Sequence, residues 1–209
     1  MKLEGLYLVV SPVMPFDKLL VTVEKALKGG VDLLQLIPED GPKISKLAED
    51  LSSLAEQHDV PFLVNGNLRL AKEVGADGVH LDMYNVTPSE VKQVLGKQCI
   101  IGYTLGDNLE KLKWAETVGA DYVSFCSVFP TSSAAQCDIV PIETIRAAKA
   151  QTTLPIFAAG GINLNNAKLI LKASVNGIAV TSALLKAEDP EQTALAFKEI
   201  IRNVRKAKL

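Results

Sequence analysis

The 209-residue chain is predicted to be an α/β protein, a single (β/α)8 TIM barrel over residues 1–209, from three observations. A helix-to-strand phrase recurs four times, short apolar runs alternate with amphipathic segments along the whole chain, and no glycine-rich turn follows the first run. The phrase reads "GGVDLLQL" (29–36), "VGADGVHL" (74–81), "VGADYVSF" (118–125) and "ASVNGIAV" (173–180). Each copy ends a helical pattern on Gly or another small residue, turns through Asp or Asn, and enters a run apolar enough to be buried on both faces.

The first strand is "GLYLVV", and the "VVSPVMPFD" that leaves it lacks the GxGxxG of an open doubly wound sheet, the competing architecture. "DLLQL" is the second strand. The helix after it, "PKISKLAEDLSSLAEQH", sets Ile44, Leu47, Leu51 and Leu54 on one face and Lys46, Glu49, Asp50 and Ser53 on the other. "VPFLVN", "GVHL", "QCIIGYT", "YVSF", "LPIFAAGG" and "NGIAV" supply the remaining strands, with "SALLKA" a short helical segment after the last. Eight strand candidates thus alternate with eight helix candidates. Continuously apolar strands need helices over their outer face, and this many units in this length suit a closed barrel.

Composition narrows the function. A formal net charge of −2, with Lys and Arg scattered singly, provides no basic stripe for nucleic acid. "MKLEGLYLVV" is too short an apolar run for a signal-peptide core or a membrane span, so a cytoplasmic protein without membrane association is expected. Cys99, Cys126 and Cys137 form no CxxC and fit a reducing compartment; Cys126 is expected to point into the barrel wall. The sequence sets no oligomeric state, although Trp114 and Tyr84 read as exposed aromatics suited to an interface.

In a barrel, chemistry gathers where strands end. Those ends carry Gln35 with "IPED", Asn65, His80 with "LDMYN", Thr104, and then "SVFPTSSAAQCD", a loop with four hydroxyls and no Lys or Arg. The last two ends carry Gly160-Gly161 and Thr181-Ser182. Loops after the seventh and eighth strands commonly cradle a phosphate on main-chain N–H groups and a helix N-terminus. Paired glycines allow close backbone approach, while Thr181, Ser182, Thr131 and Ser133 add donors. Alternatively the glycines only make a tight turn before a helix capped by Asn163, and Thr181 and Ser182 only cap "SALLKA". His80 reads as a packed structural residue or, as the sole imidazole near the mouth, as a proton carrier.

Taken in order, "GLYLVV", "GGVDLLQL", "VPFLVN", "VGADGVHL", "IIGYT", "GADYVSFCSVFPT", "LPIFAAGGI" and "NGIAVTSAL" resemble the thiamine-phosphate synthase and thiazole tautomerase family from Gly5 to Ile201. The resemblance implies a barrel enzyme of thiamine biosynthesis, a transferase that joins hydroxymethylpyrimidine diphosphate to thiazole phosphate with Mg2+. It implies that Thr131, Ser133, Gly160, Gly161, Thr181 and Ser182 hold the phosphate of a small heterocycle. Gln35 would then face the pyrimidine, and Asn65 and Thr104 would lie near the diphosphate.

Departures from the family pattern fall in one half of the site. Where the family has QLREKD this chain has "QLIPED", so Ile37 replaces an Arg and Glu39 a Lys, and Ala134 stands where the hydroxyl loop normally reaches a Lys. Gly66 follows Asn65 in place of an Asp, and Asn85 matches the second acidic residue of the family's GQED segment. Asn85 is thus the one metal-ligand candidate left, and the Mg2+ site is expected to be lost, because Mg2+ favours carboxylates together with substrate phosphates. Each charge-assisted contact is worth about 1.5–3 kcal/mol, so three missing cations remove on the order of 4–9 kcal/mol from diphosphate binding or ionisation. The tautomerase places a proton-shuttling His where this chain has Ser127. Three functions follow as expectations: a synthase-like protein with a degenerate diphosphate half-site, an isomerase using His80, Asn65 or Glu39 for proton transfer, and a non-catalytic binder of a phosphorylated ligand.

Overall fold

The computed structural model describes residues 2–106, 108–131 and 139–207. Eight strands, β1 (Gly5–Val10), β2 (Leu33–Leu36), β3 (Phe62–Asn65), β4 (Gly78–Leu81), β5 (Ile100–Thr104), β6 (Tyr122–Phe125), β7 (Ile156–Ala159) and β8 (Gly177–Val180), pair in parallel and in sequence order. Pairing of β1 with β8 closes the barrel. The helices are α1 (Phe16–Lys28), α2 (Ile44–Gln57), α3 (Leu68–Glu73), α4 (Pro88–Leu95), α5 (Glu110–Val118), α6 (Ile142–Gln151), α7 (Ala167–Leu171), α8 (Ser182–Leu185) and α9 (Pro190–Lys206). The predicted (β/α)8 architecture is what the chain forms. After β8, "SALLKA" supplies the short α8, which buries Leu184 and Leu185 ahead of the long α9.

The repeated phrase has a physical cause. At every second joint its Asp or Asn grips the strand alongside with two bonds. Asp32 donates its N–H to the Leu6 carbonyl (2.7 Å), and its carboxylate accepts from Leu6 N–H (2.7 Å). Asp77 does the same with Phe62 (2.8 Å each way), and Asp121 with Ile101 (2.8 Å each way). Asn176 repeats the clamp on Ile156 with its amide oxygen (2.8 and 3.0 Å). N–H groups at the first or second residue of β1, β3, β5 and β7 are thereby satisfied, and the register of β1–β2, β3–β4, β5–β6 and β7–β8 is pinned.

That register sorts side chains by a period of two. Tyr7, Leu33, Leu63, Ile100, Tyr122, Phe157 and Ala179 form one cluster inside the barrel. Their neighbours along the strands, among them Leu6, Leu34, Val64, Val79, Ile101 and Ile178, pack outward against helical residues such as Leu19, Leu51, Leu112 and Phe197. Gly102 is required at its place because a methyl there would lie 2.1 Å from the Tyr122 ring. Trp114 and Tyr84, expected to be exposed, are half-buried: Trp114 packs edge-on against both Tyr84 and Tyr103 at 5.0 Å. They complete the outer shell beside β5. Among the described residues no helix is long and apolar enough to cross a membrane.

The clamps predict a graded response to substitution. Asp121→Ala, which leaves the Ile101 N–H without its acceptor, is expected to cost about 1–3 kcal/mol in urea denaturation, whereas Asp121→Asn, which copies Asn176, should cost less than half as much. Equal losses would show that charge rather than the acceptor matters.

Candidate functional site

At the C-terminal mouth the strand ends surround two adjoining hollows. The first, of about 170 Å3, is lined by Thr131, Gly160, Gly161, Thr181 and Ser182 together with Ser127 and Ile162. Gly160 and Gly161 have φ of 92° and 66°, values that favour glycine. They are also pressed against the loop after β6: a Cβ on Gly160 would lie 2.4 Å from Ser127 N, and one on Gly161 2.7 Å from Phe129 O. The loop is stitched to them by Val128 N–H to Ala159 O (3.0 Å) and Phe129 N–H to Gly160 O (3.1 Å). Ser127 is itself buried with φ of 57°, a costly conformation for a residue bearing a side chain.

Two simpler explanations for this half concern turns and caps, and the bond from Asn166 Nδ2 to Gly161 O (2.9 Å) ties the glycine turn to the start of α7. Thr181 precedes α8 without any side-chain capping bond. Asn163 accepts from Asn165 N–H (2.9 Å) and so caps only the turn that leads into α7, which begins at Ala167 behind Asn166. Among the described residues, the N–H groups of Gly160, Gly161, Thr181 and Ser182 donate to no main-chain or side-chain acceptor. Four main-chain donors on one wall, with hydroxyls beside them, form a surface suited to an anion. Ser133 lies outside the described residues, as does Ala134.

The second hollow, of about 120 Å3, is lined by Gln35, Asn65, His80, Asp82, Thr104 and Ser124, with Tyr7 at its base. Val9, Ile37, Cys126, Ala159 and Ala179 border both hollows and form the floor between them. Cys126, expected in the barrel wall, faces the mouth instead; it continues the period of two from Tyr122 and Ser124 past the end of β6. The polar groups below are joined to one another. Tyr7 donates to Gln35 Oε1 (2.5 Å), Gln35 Nε2 to Asn65 Oδ1 (2.8 Å), and Asn65 Nδ2 to Asp82 Oδ2 (2.8 Å). Thr104 donates to Asp82 Oδ1 (2.8 Å) and also meets His80 Nε2 (2.8 Å), while His80 Nδ1 meets the Tyr122 hydroxyl (2.8 Å), itself 2.9 Å from that of Tyr7. Burial holds the His80 pKa down at about 4, against a partly offsetting pull upward from Asp82. Burial pushes the Tyr7 and Tyr122 hydroxyls upward, so both stay protonated.

Of the residues singled out from sequence, Gln35, Asn65, His80 and Thr104 come together here, and Thr131, Gly160, Gly161, Thr181 and Ser182 come together in the first hollow. Glu39 and Asn85 join neither group: both are exposed and line neither hollow. Tyr7, Tyr122, Ser124 and Asp82 escaped the sequence reading. The signal for Asp82 was its spacing, two residues beyond His80 and therefore on the same face of the extending chain.

The family model described as thiamine monophosphate synthase matches residues 6–184. A thiamine-phosphate synthase of Methylococcus capsulatus is 33% identical over 205 residues, covering 97% of this chain and 92% of the relative. One from a Hydrogenobaculum species is 36% identical over 202 residues, covering 95% and 94%. Among solved structures, a thiamine phosphate pyrophosphorylase from Pyrococcus furiosus superimposes with a TM-score of 0.84 at 31% identity, covering 96% of each chain.

His80 makes stability depend on pH. Its pKa lies below the unfolded value near 6.5, so the unfolded chain takes up a proton that the fold resists. This contribution is intact above pH 6.5 and is lost as pH falls toward 4. Urea denaturation should therefore show the wild type losing on the order of 2–3 kcal/mol more than His80→Gln between pH 7 and pH 4. Parallel pH profiles would contradict this.

Proposed function

The chain belongs to the thiamine monophosphate synthase family, and from that membership we propose that it binds the phosphate ester of a small heterocycle, such as thiazole phosphate, in the hollow where β6, β7 and β8 end. The observation that carries the reading is the set of undirected N–H groups on Gly160, Gly161, Thr181 and Ser182, lining one cavity with Thr131. A phosphate monoester presents several acceptors to such a wall, and main-chain donors held by a rigid barrel cost little to orient. Ser133, from the same hydroxyl loop, is assigned to this phosphate by sequence.

In this reading the adjoining half, formed by Gln35, Asn65, His80 and Thr104, holds the remainder of the ligand and has lost its grip on a magnesium diphosphate. No Lys or Arg lines it among the described residues, Ile37 borders it where a cation would be needed, and Glu39 projects elsewhere. The residues present make a poor Mg2+ site: Asp82 is the one carboxylate lining this hollow among the described residues, Gly66 has no side chain, Asn85 is exposed, and among the described residues no group of three or more His, Cys, Asp or Glu converges. No step is therefore assigned to a metal here. Departure of a diphosphate needs charge stabilised as it develops, and this half offers neutral donors only. An isomerase role has less support, since Glu39 lies off the cavity and both nitrogens of His80 are engaged. Synthase-type transfer, if retained, is slow: turnover of pyrimidine diphosphate with thiazole phosphate and Mg2+ is expected at least about a thousandfold below that of a motif-complete relative assayed alongside.

Calorimetry tests the reading directly. Thiazole phosphate should bind the wild type, inorganic phosphate should compete, and a Thr181→Ala/Ser182→Ala double variant should bind about ten- to a hundredfold more weakly. Indifference to these changes would remove the two hydroxyls from the reading, and failure of both thiazole phosphate and inorganic phosphate to bind would overturn it.

A further inference from the structure

Seven polar side chains at the second hollow form a closed circuit. In order they are Asp82, Thr104, His80, Tyr122, Tyr7, Gln35 and Asn65, and contacts of 2.5–2.9 Å join each to the next and the last back to the first. Every such contact needs one hydrogen between its two heavy atoms. Thr104, Tyr122, Tyr7 and a neutral His80 bring one each, and so do Gln35 and Asn65, because each amide spends its nitrogen on one neighbour and its oxygen on the other. An ionised Asp82 brings none. Six hydrogens therefore serve seven contacts, and neither the tautomer of His80 nor a turn of both amides alters the count.

With Thr104 donating to Asp82 Oδ1 and Tyr7 to Gln35 Oε1, the empty contact lies between His80 Nε2 and Thr104 or between Tyr122 and Tyr7, according to the tautomer. Either place involves buried side chains. Ser124, 3.3 Å from His80 Nε2 and 3.4 Å from the Thr104 hydroxyl, stands to one side and puts no hydrogen between them. One added proton removes the deficit. On Asp82 Oδ1 it points to Thr104, whose own hydrogen turns to His80 Nε2, and donation then runs from His80 Nδ1–H through Tyr122, Tyr7, Gln35 and Asn65 back to Asp82 Oδ2. Burial disfavours a charged imidazole, which leaves the exposed carboxyl as the seat of this proton. Asp82 stands where the family's GQED segment has its Gly, so the family pattern does not supply the residue that closes the circuit.

We propose that Asp82 is a proton-accepting site coupled to the phosphate cradle: when a phosphate ester binds, Asp82 takes one proton from solvent, its new O–H bond completes the circuit, and the mouth loses one negative charge. This rests on the phosphate reading above. The two hollows share a floor that includes Val9, Ile37, Ala159 and Ala179, so a doubly negative phosphate and an ionised Asp82 face each other across apolar side chains, where like charges favour the neutral carboxyl. Besides His80, the titratable groups around Asp82 are Tyr7 on β1, Tyr122 on β6 and Tyr84 after β4, all kept protonated by burial, and Cys126 after β6. The strands β2, β3, β5, β7 and β8 present Gln35, Asn65, Thr104, Ala159 and Ala179, none of which titrates. Lys111 of α5 sits over the Tyr84 ring, 4.6 Å from its centre.

The test is calorimetry on the full-length protein with thiazole phosphate at pH 8, well above the second phosphate pKa of about 6, so that the ligand is dianionic before it binds. Repeating it in two buffers of different ionisation enthalpy counts the protons taken up. The wild type should take up as much as one proton per bound ligand and bind about three- to tenfold more tightly at pH 7 than at pH 8. Asp82→Asn carries the missing hydrogen on its own amide, so it should take up none, lose the pH dependence over this range and melt no lower than the wild type. Asp82→Ala opens the circuit and should also take up none, but should melt lower. Binding without uptake in the wild type, or uptake that persists in both variants, overturns the proposal while leaving the cradle in place. Failure of both thiazole phosphate and inorganic phosphate to bind overturns the phosphate reading along with it.

Discussion

Strand register is the constraint on which the rest of this molecule depends. Because the side-chain period of a strand is two, a one-residue slip between neighbours would exchange the lumen and the outer shell. Asp32, Asp77, Asp121 and Asn176 guard against this at the N-terminal rim by holding both the N–H and the carbonyl of one residue on the adjacent strand. With register fixed there, Tyr7, Gln35, Asn65, His80, Thr104 and Tyr122 arrive together at the opposite end. Buried polar groups are tolerable only when satisfied. They satisfy one another because β6, which brings Tyr122, and β1, which brings Tyr7, face each other across a closed barrel.

The two halves of the mouth then work by different physics. Beside β7 and β8 the donors are main-chain N–H groups, which need close approach and positive φ, and so depend on Gly160 and Gly161. Beside β2 to β5 the groups are side chains in a low-dielectric network, where each orientation depends on the next. The first half presents neutral main-chain donors, and the second ends in the carboxylate of Asp82.

Much of the fold was legible because the clamp residues repeat with the strands they introduce: Gly-Val-Asp, Gly-Ala-Asp twice, and Val-Asn-Gly mark the joints in plain sequence. The meeting of Gly160-Gly161 and Thr181-Ser182 in one hollow was legible for a similar reason, since both pairs sit immediately past apolar strands. The circuit was much less so. Tyr7 and Tyr122 lie inside runs that read as continuous apolar strands, and nothing in such a run says which residue faces the lumen. Cys126 was misplaced because strand periodicity was not carried past the end of β6. Glu39 was read as close to the chemistry by sequence adjacency to Gln35, yet the chain leaves the barrel at Ile37 and its carboxylate is carried into solvent.

Asp82 ties orientation to charge, so neither changes alone. The carboxylate accepts from Asn65 Nδ2, which fixes Asn65 Oδ1 toward Gln35, which in turn fixes the Gln35 amide with its oxygen toward Tyr7. Remove the terminal acceptor and both amides are free to turn over, presenting an oxygen to the cavity where a nitrogen stood. A ligand ring over Val9 and Ala179 would then meet a reversed pattern of donors and acceptors as well as a different charge. The orientation of both amides at this mouth is therefore set by the residue two places beyond His80.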